Sequence, residues 1–175
     1  MSRNILLGVT GSIAAYKAAS LVRLFVKNGD HVRVVMTPSA TQFVSPLTFQ
    51  TLSKNPVAVE AFEKVHDWRP EHIALANADL ALVAPATANT LAKMRLGLAD
   101  NLLLATFLAT RAPIVVAPAM NEGMWQNAAT QENLAALRAR GVRIISPACG
   151  ELACGVTGMG RMEEPEKIFE AVTSI

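Results

Sequence analysis

Apolar residues fall into short blocks along this chain, separated by longer stretches in which polar residues recur at helical spacing. Residues 5–9, 31–36, 80–84, 114–117 and 142–145 read as strands. Several of these carry no alternation, which is how parallel strands read when both faces of their sheet are covered. Residues 12–27, 90–108, 130–140 and 165–173 read as helices, the second of them interrupted near Gly97. Gly29 and Gly141 stand where a left-handed residue closes a helix. Ser45 and Pro46 begin a further helix as cap and first-turn proline. Residues 54–71 are ambiguous, with room for a short strand followed by a mobile loop.

Strands alternating with helices predict an α/β fold: one domain over residues 1–175, an open parallel sheet with helices on both faces. There is no internal repeat or linker. In such sheets ligands bind beyond the carboxyl ends of the strands. That directs attention to loops 10–12, 37–40, 85–89, 118–121 and 146–162.

Composition narrows the function classes. Of 175 residues, 51% are hydrophobic and only 17% charged. So apolar a chain implies a sheet covered on both faces, a large subunit interface, or both. A net charge of +2 with scattered Lys and Arg argues against nucleic acid. The first residues lead directly into a strand without a signal-peptide core, and no apolar run approaches the ~20 residues of a membrane span. A cytoplasmic protein is therefore expected. Cys149 and Cys154 are too few for a disulfide framework, and with His31, His66 and His72 they show no metal spacing, so no metal is expected.

The loops carry the chemistry. The segment Gly8-Val9-Thr10-Gly11-Ser12 joins the first strand to the first helix. Small residues there let the backbone approach an anion at a helix N-terminus, and the Ser12 hydroxyl adds a donor. An ordinary tight turn is an equal reading of this loop alone. The second strand ends in Met36-Thr37-Pro38-Ser39 without the acid that binds a dinucleotide ribose. A mononucleotide fits better, with Thr37 and Ser39 as further phosphate or ribityl contacts, although turn chemistry alone explains both hydroxyls. Pro85-Ala86-Thr87-Ala88-Asn89-Thr90 leaves room for a flat ring against the backbone, with Thr90 expected to cap the next helix. In Pro118-Ala119-Met120-Asn121, Asn121 offers two N–H donors to a carboxylate without adding charge. Met124 and Trp125 suit core packing. His72, alone in Glu71-His72-Ile73, is more often a structural residue than a catalytic one. The stretch 153–162 holds Gly155, Gly158 and Gly160 and reads as a flexible flap usable as a lid, with Cys154 at its base.

Taken together, Gly8 to Ser12, His72-Ile73, the 85–90 segment, the Pro-Ala-Met-Asn-x-x-Met-Trp segment at 118–125 and the 153–162 stretch resemble the homo-oligomeric flavin-containing cysteine decarboxylases. The resemblance covers nearly the whole chain. It implies a flavodoxin-like (Rossmann-like) fold, bound FMN, and homotrimers that can build homododecamers. FMN contacts would fall on Gly11, Ser12, Ile13, Thr37, Ser39, Pro85, Ala86, Thr87 and Ala88. His72 would be the catalytic base, Asn121 the carboxylate anchor and Cys154 the proton donor. Met120, Gly155, Arg161 and Met162 would join Asn121 in holding substrate. Within the family the segments are most similar to the branch that converts 4'-phosphopantothenoylcysteine to 4'-phosphopantetheine in coenzyme A biosynthesis. That branch occurs free-standing or fused to a synthetase domain; no such domain is expected within these 175 residues.

The implied chemistry explains the parts. Decarboxylation of a cysteine leaves an electron pair with no sink until the thiol is oxidised to a thioaldehyde, a step that side chains cannot drive and a flavin can. A proton donor then allows the enethiolate to be reduced again. Without one, the product is an enethiol, as in oxidative decarboxylation of a peptide with C-terminal cysteine. A flavin-binding regulatory subunit is a further alternative, and Cys154 together with His72 favours the enzyme.

Overall fold

The computed structural model describes residues 2–61, 70–151, 155 and 157–173. Six strands form one parallel sheet: β1 (Asn4–Val9), β2 (His31–Met36), β3 (Val57–Ala58), β4 (Leu80–Ala86), β5 (Ile114–Pro118) and β6 (Arg143–Ile144). Their spatial order is β3-β2-β1-β4-β5-β6. The order reverses between β1 and β4, which pair in parallel from Ile5 opposite Leu80 to Gly8 opposite Val83. A crevice is expected at the carboxyl ends of those two strands.

Helices cover both faces, giving the flavodoxin-like arrangement. On one side α1 (Ala15–Lys27), α2 (Pro46–Ser53) and α8 (Pro165–Thr173) pack Leu21, Phe25, Phe49 and Ile168 against Ile5, Leu7 and Leu82. On the other, α3 (Glu71–Ala76), α4 (Ala88–Leu96), α5 (Leu102–Ala109) and α7 (Ala128–Ala139) pack Leu91, Leu103, Phe107 and Leu134 against Leu6, Ala81 and Val83. Successive residues of β1 thus feed opposite layers, and both layers are dry, so the strand is apolar throughout. Gly8 is the exception in size: a methyl group there would meet Phe107 Cε2 at 2.9 Å.

The helix boundaries follow local rules. Gly97 is left-handed (φ 71°) and ends α4, while Asn101 caps α5 by accepting from the Leu104 N–H. The expected interruption therefore separates two helices. Ser45 caps α2 with Pro46 in its first turn. Three expectations need correction. The cap of α4 is Thr87, not Thr90: the Thr87 Oγ1 accepts from the Thr90 N–H. Pro85 and Ala86 belong to β4, not to the loop after it. Residues 148–151 and 157–161, expected within the loop at 146–162 and the latter within its flexible flap, form an antiparallel pair, β7 (Ala148–Glu151) and β8 (Thr157–Arg161).

Candidate active site

The crevice at the switch point is a cleft of about 630 Å³. Its floor is the β1–α1 turn, where Gly11, Ser12, Ile13 and Ala14 line it. The N-cap residue, Ala14, has no side-chain oxygen to offer the first turn of α1, and no acidic residue lies in that turn. The Ser12, Ala14, Ala15 and Lys17 N–H groups are taken within the turn, so those of Gly11, Ile13 and Tyr16, with the positive end of the helix dipole, are the donors open to an anion. The Ser12 Oγ accepts from the Ala14 N–H at 3.3 Å, which leaves its own proton for a ligand. Gly11 is there because the chain from β2 presses on it: a Cβ at Gly11 would sit 2.5 Å from the Ser39 Cβ.

One buried hydroxyl sets the spacing of the two walls. Thr10 Oγ1 donates to the Pro85 carbonyl at 2.7 Å and accepts from the Thr87 N–H at 3.1 Å. Thr87 and Ala88 line the cleft on this side, while Pro85 and Ala86 stay within the strand. The β5 loop supplies Ala119, Met120 and Asn121. Asn121 caps α6 (Glu122–Gln126) through its Oδ1, which accepts from the Gly123 N–H at 2.8 Å. The two Nδ2 protons have no protein acceptor among the described residues, so they are the donors a carboxylate would meet. Met124 also lines the cleft, whereas Trp125 packs against the core.

The remaining wall comes from β7 and β8, through Glu151, Gly160 and Arg161, and from Met162 just after β8. Met120 N–H donates to the Gly160 carbonyl at 3.0 Å. Gly160 has φ 137°, and a side chain there would collide with the Met120 carbonyl, so glycine is required by both conformation and contact. Lys17 closes this side from below. It is 6% exposed, and its Nζ donates to the Met162 carbonyl at 2.9 Å and pairs with Glu164 at 3.0 Å. Glu164 also receives Arg161 at 2.6 Å. The Lys17 hydrogen bond, aided by the charges of Lys17 and Arg161 and opposed by partial burial, holds the Glu164 carboxyl below its ordinary value.

Of the residues expected from sequence, Gly11, Ser12, Ile13, Thr87, Ala88, Met120, Asn121, Arg161 and Met162 meet in this cleft. Thr37 does not line it: its Oγ1 accepts from the Ala40 N–H, capping the turn at Pro38–Gln42. Ser39 abuts Gly11 without lining the cleft, and Gly155 is exposed with φ 80° outside it. His72 lies half-buried in α3 and is absent from the lining within its own chain. Cys154 lies outside the described residues. Tyr16, Lys17 and Glu151, which the sequence did not single out, also line the cleft. The donor-rich floor and the apolar walls of Ala119, Met120, Met124 and Met162 suit a ligand with an anionic end and a flat apolar end.

The family model for Flavoprotein matches residues 1–175. The chain belongs to the flavoprotein family. Among curated members, the chain is 46% identical over 172 residues to the coenzyme A biosynthesis bifunctional protein CoaBC of Haemophilus influenzae, covering 98% of this chain and 43% of that one. It thus spans less than half the length of the bifunctional relatives it matches. A relative of matching length, the probable phosphopantothenoylcysteine decarboxylase of Streptococcus mutans, is 46% identical over 175 residues, with 98% of each chain covered. Among solved structures, a cysteine-to-serine mutant of PPC decarboxylase complexed with pantothenoylaminoethenethiol superposes with a TM-score of 0.88 at 35% identity, covering 99% and 98% of the two chains. The FMN binding protein AtHal3 gives 0.84 at 35% identity, covering 99% and 96%.

Proposed function

We propose that this flavoprotein binds FMN and decarboxylates 4'-phosphopantothenoylcysteine to 4'-phosphopantetheine, a step of coenzyme A biosynthesis in the cytoplasm. The observation that carries the reading is the meeting, in one cleft, of the open N–H groups at the start of α1 with the Nδ2 donors of Asn121. The similarity to a probable phosphopantothenoylcysteine decarboxylase along both chains supports it.

Gly11, Ser12, Ile13, Thr87 and Ala88 hold the cofactor, with N–H groups at the anionic end and small side chains beside the ring. Bound FMN supplies the two-electron oxidation of the thiol and its later reversal. Asn121 Nδ2 donates to the substrate carboxylate and fixes its orientation, and a neutral donor avoids stabilising the carboxylate more than the transition state. Met120, Arg161 and Met162 confine the rest of the substrate. The His72 imidazole takes the proton and the Cys154 thiol returns one to the enethiolate, each proton transfer being worth roughly 10²–10⁴-fold.

His72 lies outside its own chain's cleft, and Ile73, Leu96, Leu98 and Leu108 are exposed apolar side chains. Both facts support assembly into a homotrimer, free or within a homododecamer, in which a neighbouring copy brings His72 to the cleft.

The test is mass spectrometry of the product formed anaerobically from phosphopantothenoylcysteine by the FMN-loaded protein. A product lighter by carbon dioxide alone is expected. A product lighter by carbon dioxide and two hydrogens indicates an oxidative decarboxylase, and no reaction with FMN bound removes the assignment. His72→Asn is expected to keep FMN and lose carbon dioxide release. Cys154→Ser is expected to keep FMN and release the unsaturated enethiol.

A further inference from the structure

We propose that Glu122 is a positioning residue that fixes β8 against the Asn121 side of the cleft. Asn121 and Met120 precede it directly and line the site, but Glu122 itself turns away from the cleft to the strand. Its Oε1 accepts from the Met159 N–H at 3.2 Å and from Gln126 Nε2 on the same helix at 3.4 Å. The carboxylate lies over Gly158, where an added Cβ would collide with Oε2 and lie 2.5 Å from Cδ and 2.7 Å from Oε1. Gly158 therefore supplies the space the carboxylate occupies, and Met159 supplies the proton it accepts.

The latch has a partner one residue along the strand, where the Met120 N–H meets the Gly160 carbonyl at 3.0 Å. The β5–α6 segment thus grips β8 through a backbone bond and a charged side chain. Beyond this grip, Gly160, Arg161 and Met162 line the cleft. A hydrogen bond to a charged acceptor is stronger than a neutral one, so the side chain is the adjustable half of the grip. Loosening it frees the substrate wall, whereas the floor at Gly11, Ser12 and Thr87 is held independently by Thr10.

Backbone amide exchange of the FMN-loaded protein reads the latch directly. In Glu122→Ala, exchange within β8 should accelerate on the order of ten- to a hundredfold, with β1 and β4 unchanged and FMN content retained. Glu122→Gln, which keeps an acceptor oxygen, should restore protection to within a few-fold. Gly158→Ala should loosen β8 by itself but add little in the Glu122→Ala background, since the colliding carboxylate is then gone. Unchanged β8 exchange in Glu122→Ala, or a full additional effect of Gly158→Ala in the double variant, overturns the proposal. The consequence for turnover rests on the decarboxylase reading: Glu122→Ala should raise KM about tenfold and change kcat less. If β8 exchange responds while the unaltered protein shows no decarboxylation, the latch stands and the decarboxylase reading falls.

Discussion

The two ends of the Lys17–Glu164 pair should not cost the same to remove. Lys17 is 6% exposed, whereas the Glu164 side chain is 41% exposed and keeps Arg161 as a second partner. Lys17→Met deletes the ammonium, leaves Glu164 paired, and strands only the Met162 carbonyl. A buried group losing its partner costs about 1–3 kcal/mol, and the methionine stem retains much of the packing, so about 1 kcal/mol is expected. Glu164→Ala instead leaves a buried ammonium with a single neutral acceptor. Uncompensated buried charges cost about 3–5 kcal/mol, and solvent screening of the exposed Glu164 places this case near 3 kcal/mol. With a urea slope of about 2 kcal/mol per molar, the midpoints should fall by about 0.5 M and 1.5 M. Far-UV circular dichroism at near-neutral pH measures them, at fixed protein and FMN concentrations because ligand and assembly both shift midpoints. A Lys17→Met midpoint as low as that of Glu164→Ala would falsify the claim that the buried lysine, not the carboxylate, is the costly charge.

Further outcomes follow from the same geometry. Because the Glu164 carboxyl lies below its ordinary value of 4.5 in the folded chain, the stability it contributes is complete above that value. That stability is lost as pH falls through the lowered folded value; acid titration of unfolding should show a shallower loss for Glu164→Gln. Gly11→Ala drives a methyl into Ser39 and should cost about 1–3 kcal/mol while reducing the flavin absorbance that co-purifies with the protein. Phe25→Ala, which empties a fully buried site and removes an edge-to-face contact with Phe169 at 5.3 Å, should cost about 3–5 kcal/mol in thermal or urea unfolding.

The sheet was legible because its strands are covered on both faces, so β1 and β4 appear as unbroken apolar runs. Helix ends were legible where conformation selects one residue type, as at Gly97 and Ser45. Thr87 was misjudged because two threonines three apart can each cap, and only the extension of β4 to Ala86 decides between them. The β7–β8 pair escaped because Thr-Gly-Met-Gly-Arg has little strand propensity of its own. Its shape comes from Met120 and Glu122, nearly forty residues earlier in the chain. Gly158 and Gly160 looked like hinges and proved to be places where another segment touches the backbone. Lys17 was invisible for a related reason: a lysine in an amphipathic helix reads as a solvated residue until α8 and Glu164 close over it.

Thr10 bears on how this cleft can be altered. A single oxygen, as donor to Pro85 near the end of β4 and acceptor from Thr87 just after it, ties the loop after β1 to the β4–α4 junction. The two segments are therefore epistatic. A chimera that imports either one from a relative inherits a geometry tuned to the other, and it should succeed only where position 10 keeps its hydroxyl. Serine meets that condition and valine, although the same shape, does not. Diversifying the cleft for new substrates is safer from the β5 side, where among the described residues no such shared atom joins the variable positions to the floor.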